Sequence, residues 1–133
     1  MKYREGYKYQ LAENYHMATG IAPSETIRTA YTMLFVDGMI VIKAGYAWDG
    51  PSGPAIDTKN FMRGSLVHDA LYQLMREGHL GQHNRDKADR LLQKMCREDG
   101  MSALRAWWVY QAVAWGGGPS ADPLNDNPIL TAP

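Results

Sequence analysis

The sequence predicts an α+β fold: antiparallel β-hairpins first, then an antiparallel pair of helices and a third, aromatic helix. Three observations predict it. β-branched and aromatic residues crowd positions 26–43 and are divided by Asp37-Gly38. From Thr58 onward, apolar residues recur at helical spacing, with stops at Gly78 and Gly100. Between the halves, Ala44 to Pro54 holds three Gly and two Pro in eleven positions, a density that regular structure does not tolerate.

A chain of 133 residues suits a single domain with a real core, and its 45% hydrophobic content is ordinary for a globular protein. Lys+Arg and Asp+Glu number 14 each, which argues against nucleic acid as a partner held by bulk electrostatics. Cys96 is the only cysteine, so the fold rests on packing without an internal disulfide. No apolar run follows the charges of Met1–Gly6, so no signal peptide is expected. No stretch approaches the roughly 20 apolar residues of a membrane span.

Residues 1–44 form the β-rich part. Tyr7, Tyr9 and Leu11 alternate with Lys8 and Gln10, the period of one or two short strands. Gly20–Glu25, with Pro23, reads as a loop. Thr26–Val36 reads as one strand and Met39–Lys43 as its partner. Gly38 supplies the positive φ that the turn between them requires.

Residues 45–57 form a Gly/Pro loop. It serves either as a plain strand-to-helix connector or as a loop whose backbone carbonyls face a cation, since Gly lets peptide groups turn inward without a Cβ clash. Calcium takes six to eight oxygens, and carbonyls plus a carboxylate suit it. Asp57-Thr58 offers an N-cap for the helix that follows.

Residues 58–99 form a helical hairpin. The first helix spans Thr58 to Glu77. With His68 at zero on a wheel of about 100° per residue, Asp69, Tyr72, Ser65 and Arg76 fall within an arc of roughly 0 to 100°. Val67, Ala70, Leu71 and Leu74 occupy the neighbouring face. A core would fix one side while a cleft wets the other, as a catalytic helix requires. The bland alternative is that a His-Asp pair on a helix carries no function. After a turn at His79–His83, Asn84 is placed to cap a second helix from Arg85 to Glu98 or Asp99. Its core stripe is Ala88, Leu91, Leu92 and Met95. Asp89 sits at the edge of that stripe and faces either the partner helix or, beside Arg85 and Arg90, the solvent. At 1.5 Å per residue, His68 lies about 13 Å before the turn and Asp89 about 8 Å after it. A modest stagger would bring the two together.

Ser102 caps a third helix over residues 102–115. It is apolar nearly all round, with Leu104, Trp107, Trp108, Val109, Tyr110, Val113 and Trp115. Core packing is the expected role, and Trp107 and Trp108 are the candidates for lipid or partner contact in the alternative. Residues 116–133, with Pro119, Pro123 and Pro128, form an irregular tail.

A Gly-rich loop, an HDxxY helix and a returning Asp together resemble the phospholipase A2 superfamily, especially its disulfide-free form in parvovirus capsid proteins. Gly50-Pro51-Ser52-Gly53 stands where that superfamily has its calcium loop, and Asn84-Arg85-Asp86-Lys87-Ala88-Asp89 is similar to the run on the returning helix. The likeness covers about residues 45 to 96 and implies a phospholipase A2-like helical hairpin. It also implies roles. His68 is the general base, Asp89 orients it and Tyr72 supports Asp89. Asp69 binds Ca²⁺ together with the carbonyls of Trp48, Gly50 and Ser52, and Asp49 adds a further carboxylate. The substrate would be a phospholipid or another ester.

A second resemblance spans most of the chain. Ala44-Gly45-Tyr46, Asp49-Gly50-Pro51-Ser52, His68-Asp69-Ala70-Leu71-Tyr72, Arg85-Asp86-Lys87-Ala88-Asp89 and Trp107-Trp108-Val109-Tyr110 resemble a family of phage and prophage proteins, the domain-of-unknown-function family 1353. That likeness implies a phage origin, with host cytoplasm or virion as the location, and no particular activity. Three functions therefore compete. One is a Ca²⁺-dependent ester hydrolase. Another is a phage structural or host-interaction protein, bound to other phage structural proteins, that uses the same residues as a buried polar network. The third is a different metal-dependent hydrolase, for which His16, His79 and His83 are available at no persuasive ligand spacing.

Overall fold

The structure is a computed structural model that describes residues 1, 3–4, 9–48, 58–116 and 121. It has the α+β architecture expected, with antiparallel strands first and three helices after them. The chain divides into two compact units, Met1–Gly50 and Pro51–Ala132, which meet in sequence within the Gly/Pro loop.

Among its described residues the first unit holds seven short strands: β1 (Tyr3–Arg4), β2 (Tyr9–Leu11), β3 (Tyr15–Ala18), β4 (Ile27–Arg28), β5 (Thr32–Leu34), β6 (Met39–Ile42) and β7 (Ala47–Trp48). They form a three-stranded sheet in the order β1-β2-β7 and a four-stranded sheet in the order β3-β6-β5-β4. Every pairing is antiparallel. The β5–β6 hairpin forms where Asp37-Gly38 predicts it, with Leu34 opposite Ile40 and Met33 opposite Val41. Phe35 O accepts from Gly38 N at 2.9 Å and Met39 O from Phe35 N at 2.9 Å, while Gly38 adopts φ +90°. The loop is thus three residues closed by a left-handed glycine, the arrangement that a side chain at Gly38 would strain. Asp37 Oδ1 accepts from Met39 N at 3.0 Å. Along β6, Ile40 and Ile42 are buried and alternate with part-exposed neighbours, as a half-buried strand requires.

Two strand expectations need correction. Thr26–Val36 is not one strand but two, β4 and β5, with Ile27 opposite Leu34. The chain reverses at Ala30-Tyr31. Thr29 Oγ1 accepts from Thr32 N at 3.1 Å, so a side chain satisfies an amide that a straight strand would have paired with its neighbour. With no Gly or Pro there, propensity reads straight through the turn. The loop placed over 45–57 also begins too early. Ala47-Trp48 pairs with Tyr9-Gln10. Gly45, at φ +97°, makes the bend between β6 and β7.

The second unit begins with a 3-10 turn at Thr58–Asn60, then α1 (Met62–Arg76), a 3-10 turn at Gln82–Asn84, α2 (Arg85–Glu98) and α3 (Ala103–Gly116). The helices start later than Thr58 suggests. Phe61 occupies the N-cap of α1 without a side-chain bond, and Asp57 lies outside the described residues. Asn84 holds the N-cap of α2 but does not cap it. Its amide turns back to donate to Gly81 O at 3.0 Å, inside the 3-10 turn. Ser102 does cap α3, accepting from Arg105 N at 3.2 Å.

Both helix stops are glycines in the left-handed region. Gly78 N donates to Met75 O at 3.0 Å and His79 N to Leu74 O at 2.9 Å. Gly100 N donates to Arg97 O at 3.1 Å and Met101 N to Cys96 O at 2.9 Å. These are paired C-terminal caps that satisfy carbonyls the helix itself leaves open.

α1 and α2 run antiparallel, and their contacts step along the pair. Arg63 bridges Glu98 and Asp99 at 3.0 and 3.1 Å. A Cβ on Gly64 would stand 2.8 Å from Leu92 Cδ1 and 3.5 Å from Cys96 Sγ. The apolar face of α1 is buried as expected, through Val67, Ala70, Leu71 and Leu74, and so is the α2 stripe of Ala88, Leu91, Leu92 and Met95. Each fully buried Leu contributes about 1.5–3 kcal/mol. On the other side, Leu92 and Cys96 join Phe61, Met101 and Ala106, with Val109 and Val113 against them.

α3 departs from the expectation of core packing. Of its residues Ala106 alone is buried, with Val109 and Val113 partly buried beside it. Leu104, Trp107, Trp108 and Trp115 are exposed. α3 seats one narrow side on α2, and a short helix packed from one side cannot bury all of its apolar circumference.

Candidate active site

α1 and α2 position three polar side chains against each other. His68 projects from the middle of α1, Tyr72 from one turn later, and Asp89 from the second turn of α2. Asp89 Oδ1 lies 2.7 Å from His68 Nε2 and accepts from Tyr72 OH at 2.7 Å. The His68 and Tyr72 rings lie 4.2 Å apart between centroids, tilted by 31°, which fits their i, i+4 spacing on one helix face. All three are buried: His68 is 8% exposed, Tyr72 4% and Asp89 1%.

That burial corrects the wheel. The polar arc of α1 does not uniformly line a wet cleft. Ser65, His68 and Tyr72 are buried, while Asp69 and Arg76 remain partly exposed. Asp89 does not face solvent between Arg85 and Arg90. It points at the partner helix, where His68 and Tyr72 meet it.

The electrostatics follow from this enclosure. Burial would by itself lower the His68 pKa, but the carboxylates of Asp69 and Asp89 more than offset it and hold the imidazole above its ordinary 6.5. Burial pushes the Tyr72 phenol up, and its bond to Asp89 pushes the same way, against an opposing pull from Arg85. Tyr72 is therefore a hydrogen-bond donor throughout the physiological range. With an acidic acceptor at Nε2, the bonding pattern assigns the imidazole proton to that nitrogen and leaves the lone pair of the neutral ring on Nδ1. Nδ1 faces toward Asp69, whose Oδ1 is 4.0 Å away and whose side chain is 37% exposed.

Of the residues expected to complete a cation site, Trp48 belongs to the first unit and the others lie outside the described residues. Trp48 is buried in β7 of the first unit, against Tyr9 and Tyr46. Asp49, Gly50 and Ser52 lie outside the described residues. Among the described residues, no three His, Cys, Asp or Glu side chains converge to hold a metal. His16, His79 and His83 are exposed. Asp69 is a partly exposed carboxylate facing Nδ1 of His68, and a carboxylate is a donor that suits a hard cation.

Arg85, expected only as a neighbour of a solvent-facing Asp89, was not expected to reach Tyr72. Its guanidinium acts on the Tyr72 hydroxyl and donates to Ala114 O of α3 at 3.3 Å. The signal was present, since Arg85 stands four residues before Asp89 and shares its helix face. A separate surface cluster on α2 and α3 was also missed. Tyr110 OH donates to Asp86, and Arg90 covers the Tyr110 ring at 5.0 Å.

The fold and the site together define an α+β protein with a His-Asp-Tyr constellation across a helical hairpin. Residues 27–113, about two thirds of the chain, match the family model described as Protein of unknown function (DUF1353), and the chain belongs to that family. No curated protein and no solved structure matches it. Among the described residues no helix is long and apolar enough to cross a membrane.

Proposed function

We propose that the chain is a phage-encoded, Ca²⁺-dependent hydrolase of phospholipid or related carboxylic esters, with a phospholipase A2-like core. The observation behind this reading is the shared oxygen of Asp89, which holds both His68 Nε2 and Tyr72 OH at 2.7 Å. A carboxylate fixed by Tyr72 fixes the imidazole in turn, so the other ring nitrogen is oriented to act as a base. In the proposed reaction His68 Nδ1 takes a proton from water and the water oxygen attacks the ester carbonyl. The imidazolium formed is stabilised by Asp89 and returns the proton to the leaving alkoxide. Calcium at Asp69 would supply polarisation of the carbonyl and neutralisation of the oxyanion.

A second reading also has an observation behind it. The three side chains are almost fully buried, as a polar network that ties two helices together would be. In that case the chain is a phage structural or host-interaction protein without turnover.

Calorimetric titration of wild type and Asp69→Ala with Ca²⁺, followed by ester assays on wild type and His68→Ala, separates the two. The hydrolase reading expects binding that is lost in Asp69→Ala and turnover that is lost in His68→Ala. No binding at about millimolar Ca²⁺, within the weak range of calcium modules, sinks the calcium-dependent mechanism and leaves the network reading.

A further inference from the structure

Arg85 touches the site but has no part in the proposed chemistry. It stands four residues before Asp89 on α2, so the two share a helix face with Cβ atoms about 5–6 Å apart. One end of its guanidinium is anchored, with Nη2 donating to Ala114 O at 3.3 Å. Ala114 lies in the last turn of α3, where helix carbonyls lack donors of their own and carry the negative end of the helix dipole. α3 has no basic residue in that turn, and Arg85 supplies the cation from α2. Tyr110, one turn earlier, donates to Asp86. α3 therefore meets the first turn of α2 at two successive positions.

On its other side the guanidinium acts on the Tyr72 hydroxyl. Arginine has donors only, and the Tyr72 proton is committed to Asp89 Oδ1 at 2.7 Å. The phenol oxygen thus meets the guanidinium with its lone pairs. Arg85 Nε is buried with no hydrogen-bond partner. A buried donor left unmet is costly, so the other ends, at Tyr72 and Ala114, hold the cation in this place. The consequence falls on Asp89 Oδ1, which meets both Tyr72 OH and His68 Nε2 at 2.7 Å. Two donors on one oxygen compete for it. A cation against the phenol oxygen polarises the O–H and strengthens the Tyr72 bond at the expense of the other.

We propose that Arg85 is a positioning residue that sets how Asp89 Oδ1 is divided between Tyr72 and His68, and that its anchor on Ala114 O ties this division to the last turn of α3. The inference concerns the geometry of the cluster and does not depend on turnover, so it stands or falls apart from the hydrolase reading.

The test is NMR of the full chain in calcium-free buffer with labelled His and Tyr, following the His68 Nε2–H and Tyr72 hydroxyl protons. Arg85→Met keeps an apolar stem and removes the cation. The expected result is a Tyr72 hydroxyl proton that moves upfield and a His68 N–H that moves downfield, because one bond weakens as the other strengthens. Ala112→Gly is an exposed change in the last turn of α3. It frays the anchor and moves both signals in the same sense as Arg85→Met, by less. Combined with Arg85→Met it moves neither further, since the link is already gone. An Arg85 that merely fastened α2 to α3 would lower the urea midpoint while both resonances stayed in place or moved upfield together, and either outcome overturns the proposal. Ala112→Gly without effect on the two protons overturns the tie to α3. If far-UV circular dichroism shows that Arg85→Met does not fold, Arg85→Lys, which keeps the charge but cannot fork between two acceptors, is read against the same opposed shifts.

Discussion

His68 and Asp89 are 21 positions apart in sequence and 2.7 Å apart in space, joined across the α1–α2 interface at a point where both side chains are nearly inaccessible to water. Such a bond is strong because water does not compete for it, and damaging because neither partner can be resolvated when the other is lost. This sets the expectations for mutation.

Asp89→Ala leaves the His68 N–H and the Tyr72 hydroxyl without their common acceptor inside the helix pair. The expected loss is about 2–4 kcal/mol of unfolding free energy, against about 1 kcal/mol for Tyr72→Phe, which removes one donor and strands nothing. Urea unfolding of the two variants and of the double mutant checks this. The double mutant should fall short of the sum, because both changes remove the same bond.

The His68 pKa lies above 6.5 in the folded chain. The folded state therefore binds this proton more tightly than the unfolded state does. The resulting stabilisation is fully present below about pH 6.5 and is lost as pH rises through the folded-state value. In calcium-free buffer, wild type should lose stability across that window relative to His68→Gln. The His68 ring resonances should titrate above those of an unfolded peptide, and Asp89→Asn should bring them down.

Gly64 is a point of close approach between α1 and α2. A Cβ there meets Leu92 Cδ1 at 2.8 Å and the Leu92 carbonyl at 3.5 Å, and Leu92 is buried in the core with Phe61, Cys96, Met101 and Ala106. Gly64→Val should cost about 3 kcal/mol through overpacking, far outweighing any gain in helix propensity. Because the helices separate, the variant should also weaken the downfield His68 N–H resonance expected of the bond to Asp89.

Cys96 is buried at the α1–α2–α3 junction. Burial, reinforced by Asp99 against the pull of Arg63, pushes its thiol up to about 12. The thiol should resist iodoacetamide at pH 8 in the native chain and react at the ordinary rate in urea. Its native-state labelling rate then reports opening of the helical unit, and fast labelling without denaturant would show that the junction is not closed.

The elements that local chemistry controls were legible. Gly38, Gly78 and Gly100 each mark a chain reversal because a left-handed φ is accessible to glycine and to few others. The α2 stripe was legible because its apolar residues keep strict helical spacing. The turn at Thr29–Thr32 was not, since it is closed by a threonine hydroxyl in a segment whose composition favours strand. The meeting of His68 and Asp89 was legible through spacing, as the two needed only an antiparallel return, whereas the bond of Tyr72 to Asp89 was an expectation of the resemblance. The reach of Arg85 to Tyr72 was overlooked because it exists only once the two helices are packed.

The sequence by itself determined the order of elements, the stops between them and the helix faces on which the titratable residues lie, because these follow from nearest-neighbour sterics and from periodicity. The stagger of α1 against α2 was a matter for tertiary structure. Packing Gly64 on Leu92 and Cys96 sets that stagger, and with it the meeting of His68 and Tyr72 at a single oxygen of Asp89. Tertiary structure also decided which side of α3 is buried. An all-round apolar helix carries no preference of its own, and only the shape of the α2 surface chooses between its faces.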